Sequence, residues 1–187
     1  DADVWSVDLA SGRESLWLAD AFTPAWSPDG RSVAVDASFA GPRRIWLADA
    51  RGRNPQQLTS DVSEAVAHVR PRWSPDGRHI VFQRIERTRF SIAAVELATR
   101  ALTTVVDSAW ADLQPAWSAS GQHVYFSSYR SGGLNVWRVR VAANGAPLGT
   151  PEQVTAGAGQ DVELAAAPGS GRLAFSILRQ NASIWVM

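Results

Sequence analysis

One phrase of twelve residues recurs along this chain. It reads PAWSPDGRSVAV at 24–35, PRWSPDGRHIVF at 71–82 and PAWSASGQHVYF at 115–126. Trp26, Trp73 and Trp117 therefore stand 47 and 44 residues apart, and a degenerate copy, AAAPGSGRLAFS, covers 165–176. A repeat of this period constrains the fold more than any other feature. Each copy is one supersecondary unit that cannot bury its apolar face alone, so the copies must stack on one another.

Each copy is followed by two further landmarks. The first is RIWLADA with Trp46, SIAAVEL with Ala93, NVWRVRV with Trp137 and SIWVM with Trp185, and the opening DVWSVDL with Trp5 matches it. The second is ESLWLA around Leu16, QQLTS around Leu58, ALTTVV around Leu102 and EQVTA around Val154. These short runs are rich in Val, Ile, Trp, Phe and Thr and alternate apolar with polar, which is the pattern of strands. The tetrad Ser-Pro-Asp-Gly between two runs is a hairpin turn. Pro28 and Pro75 preset φ, Asp29 and Asp76 tolerate the bridge region, and Gly30 and Gly77 take the left-handed conformation. In the third copy Ala119 and Ser120 replace Pro and Asp, but Gly121 remains. In the fourth, the turn at 168–171 is expected to be one residue longer.

No stretch holds a helical period. The sequence predicts an all-β chain, a β-propeller of four-stranded antiparallel blades. It forms one domain, 1–187, with complete units at 21–60, 65–107 and 110–155 and partial ones at 1–20 and 161–187. About four blades are expected. The strands do not divide evenly by four, and both ends cut through strand-like sequence. The expectation is an incomplete arc of a larger propeller. Pairing of two copies through open strand edges, and a strained four-blade ring, are the alternatives.

Composition narrows the partners. The 187 residues carry 18 basic and 18 acidic side chains, so net charge is zero, and every basic residue is Arg. Without a polybasic run, nucleic acid and anionic membrane are poor partners. No apolar run reaches the roughly 18 residues that cross a bilayer, and no signal peptide is read, so membrane insertion is not expected. Cysteine is absent, which removes disulfides, thiolate catalysis and cysteine-ligated zinc.

The motif P-x-W-S-P-D-G-R-x-I/V-x-F, together with SSYRSGGLNVW at 127–137, resembles the TolB-type propeller repeat, a relative of the WD repeat. The resemblance covers essentially the whole chain. It implies a fold more firmly than a function, because such propellers serve as periplasmic scaffolds, sensor domains, lids of serine peptidases and sugar lyases. It favours a bacterial protein in a periplasmic or extracytoplasmic setting.

Enzyme signatures are missing. There is no G-x-S-x-G, H-E-x-x-H or P-loop, so no catalytic activity is expected. GSGRLA at 169–174 occupies a hairpin slot and is not a dinucleotide site. NAS at Asn181 is a chance glycosylation match. His79 and His123 share one repeat position and are expected on solvent-facing hairpins. Trp26, Trp73 and Trp117, like Trp5, Trp46, Trp137 and Trp185, are expected to pack between blades. The Arg84–Phe90 stretch RIERTRF is expected to be a solvated connection or a rim contact for an acidic partner.

Function is expected where the copies disagree, in the few residues before each P-x-W. Innermost strands line a propeller's channel, so His68, Arg70, Asp112, Gln114, Gln160, Asp161 and Glu163 should face its mouth, with Trp110 nearby. The first copy offers only Asp20 and Thr23. Asp112, Asp161 and Glu163 could hold a hard cation such as Ca²⁺ through oxygen ligands, or receive a basic peptide. The plainer alternative is that these groups are solvated loop ends and hydrogen bonds between blades. The sugar-lyase relatives use several histidines around a metal, and this chain offers one. The expected function is a protein- or peptide-binding module of a larger sensor, scaffold or envelope protein. The alternatives are the gating propeller of a serine peptidase and a metal- or small-ligand-binding propeller.

Overall fold

The computed structural model describes residues 2–157, 159–167 and 169–179. Among them no helix forms, and sixteen strands group into five antiparallel sheets. Strands β1 (Val4–Val7) and β2 (Glu14–Leu18) pair as a hairpin. Three complete blades follow. The first is β3 (Ala21–Trp26), β4 (Ser32–Ala37), β5 (Arg44–Asp49) and β6 (Gln56–Gln57). The second is β7 (Val66–Trp73), β8 (His79–Glu86), β9 (Arg89–Glu96) and β10 (Leu102–Val106). The third is β11 (Asp112–Trp117), β12 (His123–Ser128), β13 (Asn135–Val141) and β14 (Pro147–Gln153). Strands β15 (Gln160–Ala166) and β16 (Leu173–Leu178) begin a further blade. The expected strand at Trp185 and the acceptor site at Asn181 lie outside the described residues.

The Ser-Pro-Asp-Gly turn works through its serine as much as its proline. Ser27 and Ser74 donate to Asp29 and Asp76 at 2.6 Å and accept the backbone N–H of Ser32 and His79 at 3.0 and 2.9 Å. The same aspartates accept from the N–H of Arg31 and Arg78, and Gly30, Gly77 and Gly121 take φ near +70°. In the third blade Ser118 and Ser120 reproduce the clamp, which is why Asp can be lost there. The fourth turn is not longer. Ala167 N–H reaches Arg172 C=O across the same span as Ser27 N–H to Ser32 C=O, and Gly169 supplies the left-handed residue.

Cores form between blades rather than within them. Ile80, Phe82 and Val95 of the second blade meet Ala34, Ile45 and Leu58 of the first. Trp117, Phe126 and Val139 of the third meet Val81, Ile92 and Ala94 of the second. This stacking of sheet faces explains the tryptophan repeat. Trp117 is buried, and the Trp73 indole N–H donates to Ala25 C=O at 2.9 Å in the preceding blade. Trp26 has only the β1–β2 hairpin ahead of it and remains 55% exposed beside Trp17.

Two expectations need correction. His79 is buried, with its ring centroid 6.4 Å from that of Trp117, and only His123 keeps partial exposure. The strand after the turn enters the inter-blade core at once, so its first residue is covered by the next blade. Arg84–Phe90 is not a loop. Glu86 pairs with Arg89 across a two-residue turn in which Arg87 has φ +56°, and Arg84 bonds Asp61 and Glu86.

Candidate functional site

The four innermost strands share an interruption. In each, pairing with the next strand shifts register, between Phe22 and Ala25, Val69 and Arg72, Leu113 and Ala116, and Val162 and Ala165. These are β-bulges, which re-aim a side chain. The residue at each bulge is left-handed: Thr23 at φ 43°, Arg70 at 56°, Gln114 at 53° and Glu163 at 55°. None is glycine, and the first three precede proline, which disfavours helical backbone further. Such a conformation costs about 1–3 kcal/mol at each position and persists only where surroundings enforce it.

The enforcing partners sit on the neighbouring blade. Arg70 N–H donates to Asp36 of β4 at 3.1 Å, and Gln114 N–H donates to Gln83 of β8 at 3.1 Å. Glu163 N–H instead donates to the Gln114 side-chain oxygen at 2.6 Å. The bulge side chains then meet. Arg70 and Glu163 form an ion pair at 3.3 Å between the second and fourth blades, with both side chains partly exposed, and Gln114 reaches Glu163 at 3.5 Å.

Behind this ring lies a cavity of about 640 Å³ between the innermost strands, lined by Trp26, Trp73 and Trp117 and by Ala25, Arg72 and Glu163, among others. Burial and, next, the charge of Arg70 lower the Arg72 pKa, while Glu163 and Asp36 counter them. Mainly apolar walls with a few convergent polar groups are the usual make-up of a ligand site.

The bulge splits the residues expected at the mouth into two sets. Arg70, Gln114 and Glu163 come together there, with Thr23 at the equivalent position. His68, Asp112 and Asp161, two residues earlier, do not line the mouth; they are buried between blades. A regular strand would put residues i and i+2 on one face, and the bulge breaks that alternation. His68 Nδ1 lies 2.9 Å from the Thr59 hydroxyl, and its Nε2 lies 3.5 Å from Asp61. Asp161 accepts from the Thr155 hydroxyl, Thr155 being the counterpart of Thr59. Asp112 accepts from Ser108 at 2.7 Å and from Arg130 at 2.6 Å. Burial, and after it the Arg44 charge, push His68 down to about 4, so the ring is neutral at pH 7. Partial burial would raise Asp61, but the Ser63 N–H and Arg84 hold it below the usual carboxylate range. Asp112, Asp161 and Glu163 are thus not gathered around one point, and among the described residues no three His, Asp or Glu are grouped for a metal ion. Trp110 is half exposed and lines a separate groove with Arg89 and Phe90.

Sequence reasoning passed over Arg72. The residue between Pro and Trp reads Ala25, Arg72 and Ala116 in the three clear copies, so the odd arginine was visible by comparing them.

The comparisons with known proteins agree on the fold. TolB from Acinetobacter baumannii superposes at TM-score 0.73 and 18% identity, over 92% of this chain and 45% of that one. A puromycin-hydrolyzing peptidase of Mycobacterium tuberculosis superposes at TM-score 0.62 and 21% identity, over 82% of this chain and 27% of that one. By sequence, a peptidase of Bacillus subtilis described as uncharacterized, YuxL, is 29% identical over 84 residues, 43% of this chain and 12% of its own length. No protein-family profile matches the chain. The chain is a propeller module with the TolB-type β-propeller fold. It spans less than half the length of each of these proteins.

Proposed function

We propose that this chain is a non-catalytic binding module that takes a peptide segment of a partner protein at the mouth of its channel. One observation carries the reading. Four equivalent positions hold strained left-handed residues, and three of them bring Arg70, Gln114 and Glu163 together at one mouth, above a cavity walled by tryptophan. Strain repeated where glycine would relieve it is retained for what the side chains do. The TolB likeness supports a protein partner and an extracytoplasmic setting. A library of short peptides screened by fluorescence polarisation tests the reading. Binders should weaken at least tenfold in the double variant Gln114→Ala, Glu163→Ala. A wild-type chain that binds no library peptide would sink it.

A second reading is favoured by the 84-residue match to the Bacillus peptidase. Here the module is the gating propeller of a serine peptidase, and the mouth admits substrate peptides to a hydrolase domain. A G-x-S-x-G hydrolase sequence following the propeller in the parent reading frame would decide for it.

A further inference from the structure

Arg72 breaks the repeat at a slot that lines the central cavity. Its slot is Ala25 in the first blade, Ala116 in the third and Ala165 in the fourth, and all four residues line the central cavity. Three blades are built with alanine there, so stacking does not need a longer side chain. The guanidinium is therefore additional to the fold.

Its charge is offset by Glu163 and Asp36 without a direct ion pair among the described residues. Among the described residues Arg72 makes no salt bridge, and its hydrogen bond goes to the adjacent Pro71 C=O at 2.8 Å. The two acids whose charge acts on it are held by other partners. Asp36 is held by Arg43 at 3.0 Å, by the Thr23 hydroxyl and by the Arg70 N–H. Glu163 is held by Arg70 and Gln114. A partly buried cation without a carboxylate costs stability, and an arginine presents a planar fork that fits a carboxylate with two parallel hydrogen bonds.

We propose that Arg72 is the anchor of a carboxylate site in the channel, and that the ligand is the C-terminal carboxylate of a peptide whose last side chains are apolar or aromatic. The proposal rests on the peptide-binding reading above and names the ligand class of that site. Charge complementarity selects the carboxylate. The tryptophan walls select an apolar or aromatic body. A chain end is favoured over an internal acidic residue because the Arg70–Glu163 pair spans the mouth from the second blade to the fourth. One strand of peptide passes beside it, whereas a loop needs room for two. A cavity of about 640 Å³ holds a few residues.

The test uses the 187-residue chain and three probes: acetyl-Ala-Ala-Phe with a free carboxylate, its C-terminal amide, and acetyl-Ala-Asp-Phe-amide. Intrinsic tryptophan fluorescence reads binding. The free acid should bind at least tenfold tighter than either amide. Arg72→Ala should erase that preference while melting cooperatively, and Arg72→Lys should keep part of it. Equal binding of acid and amide would overturn the proposal. So would a preference that survives in Arg72→Ala, equal binding of the aspartate probe, or no binding of any probe. Library peptides that bind without regard to Arg72 leave the peptide-binding reading standing while removing this one.

Discussion

His68 shows how one side chain can look functional in sequence and act structurally. It is fully buried, packs its ring 4.7 Å from that of Phe82, and bonds the hydroxyl of Thr59 on the preceding blade. Its folded value of about 4 lies below the ordinary 6.5 because burial and Arg44 oppose the charge. Between those two values the unfolded chain takes up a proton that the folded chain refuses. Stability from this group is therefore complete above pH 6.5 and falls as pH drops toward 4. Urea titrations from pH 7 to 4.5 should show an acid-side slope that shrinks by up to about one proton in His68→Asn. A slope identical in variant and wild type would show that His68 titrates alike in both states. Nothing in the letters AHVRP separates His68 from Arg70. The separation comes from the bulge between them, which depends on Asp36, 34 residues away along the chain.

At the scale of the element, the innermost strand is where sequence and backbone disagree. The phrase P-x-W marked each strand's place in the blade, and the Gly after the turn marked the hairpin. Both are local chemistry, written in the residues that perform it. The left-handed residue at each bulge has no such mark, because Thr, Arg, Gln and Glu fill it without preferring it. Its conformation is imposed from the preceding blade, so only the assembled fold reveals it. Arg70 gives the cleanest test, since among the described residues its side chain makes only a partly exposed ion pair, and such pairs contribute little. Arg70→Gly should stabilise the chain by about 1 kcal/mol in chemical denaturation, because glycine adopts this φ freely. A loss of that size instead would mean that the position is not strained.

Across the whole molecule, the blades are held by cores between sheets and by polar latches at Thr59–His68, Ser108–Asp112 and Thr155–Asp161. The period of the repeat made the sheets, their order and the packing of Trp73 and Trp117 legible, whereas Trp5 and Trp26, expected to pack likewise, stay exposed. It could not show which polar residues face the channel, since one bulge per inner strand reverses that assignment. What remains at the channel is the cluster of Arg70, Gln114 and Glu163, three tryptophans and one arginine in an alanine slot. We propose that ligands enter there. The most direct measurement is the indole ¹⁵N spectrum of the nine tryptophans during titration with a library-selected peptide. The signals of Trp26, Trp73 and Trp117, which line the cavity, should shift together, while that of Trp110 in its separate groove should not. Shifts confined to Trp110 or to the exposed Trp5, with the three cavity signals unmoved, would contradict it.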